Sequence, residues 1–278
     1  MPTAPIASPL SLNPAGSSGS TVEATAFGAH VLSWRCRGHE RLYLSPHASF
    51  AAGKAIRGGI PVIFPQFAER GPGPRHGFAR TFEWDTVETG PERLLFRFAD
   101  DETTRASWPH RFAAELSVEP APDRLRTALT IRNRGDEAFE FTAALHTYLR
   151  VADVAGTLVH GLEDRPYLDS TRQGVHCEPD DAPVRFEAEL DRIYPDVRKP
   201  LRLTDGEELL RLEAEGFSDV VVWNPGRELA AGMSDLSVGE YHRFVCVEAA
   251  AVLVPIRLEP GQAWTGAQIL VVEERADA

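Results

Sequence analysis

The chain has almost no lysine. Of its 29 basic residues only Lys54 and Lys199 are lysine, so nearly every cation is the planar, bidentate fork of arginine. Cysteine is as scarce. Cys36, Cys177 and Cys246 are odd in number, far apart and without a CxxC pair. That excludes a disulfide framework and predicts a reducing compartment. Long apolar runs are missing too: the longest, Ala249 to Ile256, is far short of the ~20 residues that span a bilayer. No charged n-region with an apolar h-region opens the sequence, whose first basic residue is Arg35, so no secretory signal is expected. A cytoplasmic protein away from membranes is expected. Positive charge is short overall, 29 basic residues against 41 acidic for a net −12. This excludes a dedicated nucleic-acid binder, which needs a basic stripe to neutralise phosphates. No HxH, HExxH, CxxC or EF-hand pattern offers a metal site. Neither GxGxxG nor GxxxxGK[ST] offers a nucleotide loop, and no GxSxG offers a serine nucleophile.

What is present is a globular chain of 278 residues, 43% hydrophobic and 25% charged. Period 2 dominates its apolar pattern. Short alternating runs lie at Val22 to Ala26, Ala29 to Arg35, Arg93 to Phe98, Arg111 to Val118 and Leu125 to Arg132. Others lie at Ala138 to Val151, Asp219 to Trp223, Arg243 to Ile256 and Ala267 to Glu273. Turn signals such as Asn133-Arg134-Gly135-Asp136 and Glu259-Pro260-Gly261 separate them. The pattern predicts an all-β fold of stacked antiparallel sheets. A helix is predicted only for short pieces such as Glu207 to Glu213. Residues 1–20, rich in Pro, Ser, Ala and Gly, read as a flexible arm with at most one edge strand near Leu10 and Leu12. Residues 21–275 show no linker and read as one domain.

Three stretches carry candidate chemistry. The first runs from Ile56-Arg57-Gly58-Gly59 through Arg70, Arg75 and His76 to Arg80. Four arginines in the 24 residues from Arg57 to Arg80 reverse the sign of an acidic chain. Either they form an anion pocket for phosphate or a polar sugar, or they are a solvated loop paired with surplus carboxylates. The second is the run Phe139 to Val151. Strand alternation sets its odd positions on an apolar face and places His146, Tyr148 and Arg150 together on the other. His146 suits proton transfer near neutrality; the alternative is a structural histidine satisfied by a neighbour. The third is Glu248, the only charged residue between Arg243 and Arg257. A carboxylate buried there persists only if it is paired, protonated or working. Asp191 and Asp219 are further hydroxyl-binding candidates, or else a turn cap and a sheet-edge charge.

Together these segments resemble the aldose 1-epimerase superfamily, in particular its glucose-6-phosphate 1-epimerase (hexose-6-phosphate mutarotase) branch. The matching pieces are Phe27 to Trp34, Ala55 to Phe67, His76-Gly77-Phe78-Ala79-Arg80 and Leu145 to Val151. They continue through Leu190 to Tyr194, Val221 to Pro225 and Cys246-Val247-Glu248, in family order over nearly the whole chain. The resemblance implies a galactose-mutarotase-like β-supersandwich with few short helices and its site on a concave sheet face. It implies His146 as general acid and Glu248 as general base in a ring-opening anomerisation that needs no cofactor. It also implies sugar-phosphate contacts from Arg57, Arg80 and Asp191, with Arg75 and His76 beside them. Two positions depart from the family pattern: Ala249 replaces a proline after the glutamate, and Arg75 replaces a glutamine. A small sugar phosphate is the expected partner. A monomer is expected, with a dimer as the alternative.

Overall fold

The computed structural model describes residues 10–12, 19–90, 92–206 and 208–273. Its strands in chain order are β1 (Leu10–Leu12), β2 (Ser20–Thr25), β3 (His30–Cys36), β4 (His39–Glu40), β5 (Val62–Ile63), β6 (Asp85–Thr89) and β7 (Leu94–Ala99). The middle of the chain adds β8 (Phe112–Pro120), β9 (Arg124–Asn133), β10 (Phe139–Leu145), β11 (Tyr148–Arg150), β12 (Thr157–His160), β13 (Tyr167–Asp169) and β14 (Val175–Cys177). The last are β15 (Leu190–Tyr194), β16 (Leu201–Asp205), β17 (Glu208–Glu215), β18 (Asp219–Asn224), β19 (Phe244–Leu258) and β20 (Ala263–Glu273). Two one-turn helices, α1 (Glu102–Ser107) and α2 (Gly226–Ala231), interrupt them. The edge strand expected near Leu10 is β1, paired with β2; the rest of the proposed arm up to Ser18 lies outside the described residues.

The strands form a four-stranded sheet, β1-β2-β3-β4, and two eight-stranded sheets. One large sheet runs β14-β13-β15-β18-β19-β10-β5, with β11 also on β19; the other runs β12-β16-β17-β20-β9-β8-β7-β6. All these pairings are antiparallel, as the alternating apolar pattern requires. The two large sheets pack face to face. Val245, Val247, Ala249 and Ala251 of β19 join Leu116, Leu129 and Ile131 of the facing sheet in one core. The other face of β19 is covered as well. Phe244 and Cys246 pack with Tyr43 and Tyr148, and Ala250 packs with Ile63, Phe67 and Val221. Burial on both faces explains why β19 reads as a nearly continuous apolar run rather than a clean alternation.

Two readings of the sequence are corrected. The helix expected over Glu207 to Glu213 is strand from Glu208 onward, and Glu207 itself lies outside the described residues. Strong helix formers fill it, but Leu210 and Leu212 alternate into the core while Arg211 pairs with Glu273 of β20. Ladder bonds to β16 and β20 on both sides override local propensity. The run Ala138 to Val151 is two strands, not one. At His146 the Thr147 amide turns back to the Leu145 carbonyl (2.9 Å), while the His146 and Tyr148 amides bond to Pro61 and Gly59 carbonyls. Arg150 is exposed rather than gathered with His146. Helix α1 had a signal that was missed: Asp101 caps the Thr104 amide in a reciprocal capping box.

Asp219 is settled as a structural acceptor. Its Oδ2 takes the amides of Val252 (2.8 Å) and Leu253 (3.0 Å), at the bulge where β19 slips register against β10 between Phe141 and Ala143. Replacing Asp219 with alanine orphans two amides at a position that is only 4% exposed. The expected loss of stability is about 2–4 kcal/mol, measured by urea unfolding. A loss below ~0.5 kcal/mol, the range of ordinary surface substitutions, would show that the bulge stands without it.

Candidate active site

Register brings the histidine and the glutamate together. Tyr148 of β11 pairs with Cys246 of β19, and Leu145 of β10 pairs with Ala249. The same register carried across the break sets His146 opposite Glu248. On the far side of β19, Val221 pairs with Glu248 and Trp223 with Cys246, and Trp223 in turn pairs with Asp191 of β15. Partners in a row share a face, and so do rows two residues apart. His146, Glu248, Tyr148, Cys246, Trp223 and Asp191 therefore stand on the face of this sheet that points away from the inter-sheet core.

His146 Nδ1 lies 3.4 Å from Glu248 Oε1, with the two side chains 10% and 1% exposed. Neither His146 Nδ1 nor Glu248 Oε2 has a hydrogen-bond partner among the described residues. The imidazole stacks on the Tyr148 ring (centroids 4.9 Å, planes 10° apart) and meets the edges of Trp223 and His76 at 5.7 and 5.6 Å. Burial holds the Glu248 carboxyl well above the ordinary range, reinforced by Asp191 and opposed by Arg80. Burial holds His146 well below its ordinary value, aided by Arg80 and Arg57. Both shifts disfavour the charged form of the group concerned. Asp191 is partly buried, and desolvation raises its carboxyl as well.

The arginines separate into two kinds. Arg57 is half-buried and held at two nitrogens: Nη1 donates to the Tyr148 hydroxyl (2.9 Å) and Nε to Asp235 Oδ2 (3.1 Å). The glycines after it carry the tight approach predicted for them. A Cβ on Gly59 (φ +62) would lie 2.1 Å from the Val31 carbonyl, so only glycine lets this loop hold Arg57 against the sheet. Arg80 donates from Nη2 to the Arg75 carbonyl (3.0 Å), while its buried Nε has no partner among the described residues. Desolvation and its arginine neighbours lower its pKa to about 10, so it remains a cation at neutral pH. Arg75 sits at the rim instead, exposed and ion-paired with Glu69 (2.5 Å). His76 is buried at positive φ (63°), with Nδ1 accepting from the Ala68 amide (3.3 Å). That bond leaves Nε2 as the protonated nitrogen of a neutral ring.

Asp235 and Trp223 had no role in the sequence reading. Asp235 is separated from Arg57 by 178 residues, and nothing local marks it. Trp223 is half-buried beside the pair and presents ring surface on the site face. Among the described residues no group of three or more His, Cys, Asp or Glu side chains is placed to hold a metal ion. No helix among them is long and apolar enough to cross a membrane.

The arrangement is a buried histidine–glutamate pair flanked by two arginines, on a half-covered sheet face. The chain is similar to known proteins over most of its length. The family described as aldose 1-epimerase matches residues 14–270. A Cenchrus ciliaris protein named "Putative glucose-6-phosphate 1-epimerase" is 36% identical over 261 residues, 88% of this chain and 79% of its own. A crystal structure of a mutarotase of Salmonella typhimurium, described as putative, superposes with a TM-score of 0.85 at 29% identity. It covers 93% of this chain and 89% of that one. A galactose mutarotase related enzyme of Lactobacillus acidophilus shares the fold at 14% identity, with a TM-score of 0.76 over 97% of this chain and 99% of its own.

Proposed function

The chain belongs to the aldose 1-epimerase family, and from that premise we propose that it interconverts the α and β anomers of a hexose 6-phosphate. The observation that carries this reading is the buried His146–Glu248 pair at 3.4 Å, with Arg57 and Arg80 beside it. Glu248 takes the proton of the anomeric hydroxyl and His146 gives one to the ring oxygen. The C1–ring oxygen bond breaks and the aldehyde turns about its bond to C2. Closure on the other face returns both protons with the roles reversed. The pair holds one proton between its two groups before and after each turnover, so none is consumed. The phosphate binds Arg57 and Arg80, and Asp191 accepts from sugar hydroxyls. After burial, Arg80 and Arg57 are the cations that lower the His146 pKa. A bound phosphate dianion offsets them and draws the shared proton toward the histidine, where the reaction needs it.

Arg75 and His76 complete the rim and wall of this site. No step calls for a cofactor. The free cysteines Cys36, Cys177 and Cys246 fit a reducing, cytoplasmic setting, and residues 21–275 act as one domain, as a monomer.

Two-dimensional exchange NMR over hexoses and their 6-phosphates tests the reading. Faster α/β exchange is expected for the phosphorylated sugars. Equal acceleration of free glucose would point instead to an aldose 1-epimerase for unphosphorylated substrates. Binding without acceleration would make the protein a carbohydrate-binding module.

A further inference from the structure

We propose that Gln268 is a positioning residue for the His146–Glu248 pair, holding it from the opposite sheet. The proposal rests on the epimerase reading above. Along β20, Trp264, Gly266, Gln268, Leu270 and Val272 share the face that fills the inter-sheet core. Gln268 is the amide in that row and is only 3% exposed. Its Oε1 accepts from the Thr147 hydroxyl (2.5 Å), and its Nε2 donates to the Val247 carbonyl (2.9 Å). Thr147 directly follows His146, and Val247 directly precedes Glu248. One side chain thus ties the neighbours of both groups together.

Two further observations make this tie matter. His146 lies at the turn that interrupts β10 and β11, where ordinary ladder bonds lapse, and the Val247 amide reaches the Thr147 carbonyl at a long 3.3 Å. A pocket open to the surface, lined by Val197, Arg198, Lys199, Leu201, Val247 and Gln268, reaches Glu248 from the core side. Apolar contact is non-directional and does not by itself fix the orientation of this segment. The two Gln268 bonds do so, and a buried amide with both ends satisfied specifies one geometry. Small displacements of reacting groups cost large factors in rate, so the effect appears in turnover rather than in binding.

The test compares Gln268→Leu, Gln268→Glu and Val272→Ala, the last a truncation on the same buried row. In Gln268→Leu, kcat for the hexose 6-phosphate is expected to fall about 10- to 100-fold, with KM within about 2-fold. Val272→Ala, with its cavity, should lose stability but keep kcat. Gln268→Glu can donate to the Val247 carbonyl only while protonated, so its kcat relative to wild type should fall as pH rises. Unchanged kcat in Gln268→Leu, or an equal loss in Val272→Ala, overturns the proposal. Should Gln268→Leu not fold, the Gln268→Glu ratio decides, and a ratio independent of pH overturns it. The nitrogen-15 resonances of the His146 ring, read without substrate, should move in Gln268→Leu and stay in Val272→Ala. If wild type accelerates no hexose phosphate, the functional reading fails, while those resonances still show whether Gln268 holds the pair.

Discussion

Glu248→Gln is expected to abolish catalysed anomer exchange and, in the same protein, to raise stability at neutral and alkaline pH. The catalytic half follows from the loss of the carboxylate that faces the histidine, a group whose kind contributes ~10²–10⁴-fold. His146→Ala should show a comparable loss. The stability half follows from where the carboxyl sits. Burial raises its folded pKa above the unfolded value of 4.5. Above pH 4.5 the unfolded chain releases this proton while the folded chain keeps it. Folding is therefore favoured below that pH and progressively penalised as pH rises toward the folded pKa. Glutamine never ionises and escapes the penalty. The gap in Tm between variant and wild type should widen from acidic to alkaline pH. His146 acts in the opposite direction on the acid side. Its lowered folded pKa means that stability is lost as pH falls below about 6.5, where the unfolded imidazole takes a proton first. Wild-type exchange in Glu248→Gln would remove the base assignment. A variant less stable than wild type at pH 8 would refute the cost of burial.

Arg57→Ala is expected to raise KM for a hexose 6-phosphate by about 10–100-fold, the weight of a charge-assisted phosphate contact, and to leave free glucose almost unaffected. Arg57→Lys should recover little, because a point charge cannot span Tyr148 and Asp235 together as the guanidinium does. A second consequence concerns pH. Arg57 is among the cations that lower His146. Removing positive charge beside a coupled pair raises both of its macroscopic pKa values, so the whole bell of activity moves to higher pH. A matched rise in KM for both sugars, or an unmoved pH profile, would show that Arg57 serves the sheet rather than the phosphate.

Much of the site could be read from single residues set against their local pattern. Glu248 stood out because a charge in an apolar run needs a reason, and His146 because it shares a face with Tyr148. Arg57 stood out because glycines follow it, and those glycines do lie where a side chain would strike the Val31 and Tyr43 carbonyls. Other features left no local mark. Arg75 looked equivalent to Arg57 and Arg80, yet it lies at the rim with Glu69. Asp235 and Gln268 look like ordinary loop and strand residues until the chain folds around them.

By itself the sequence determined the class of the fold, since period 2 with frequent breakers calls for antiparallel sheets in a sandwich or barrel, and the identity of the lone polar groups those strands must carry. Tertiary structure decided which of them meet. The strand at Glu208–Glu215 prevails over its helical propensity because β16 and β20 bond it on both edges. His146 faces Glu248 because two strands a hundred residues apart share one register. The carboxyl is pushed above its ordinary range and the imidazole below its own because desolvation dominates there, with Asp191 adding to the first shift and Arg80 and Arg57 to the second. Periodicity is a property of neighbours along the chain, whereas register and desolvation belong to neighbours in space.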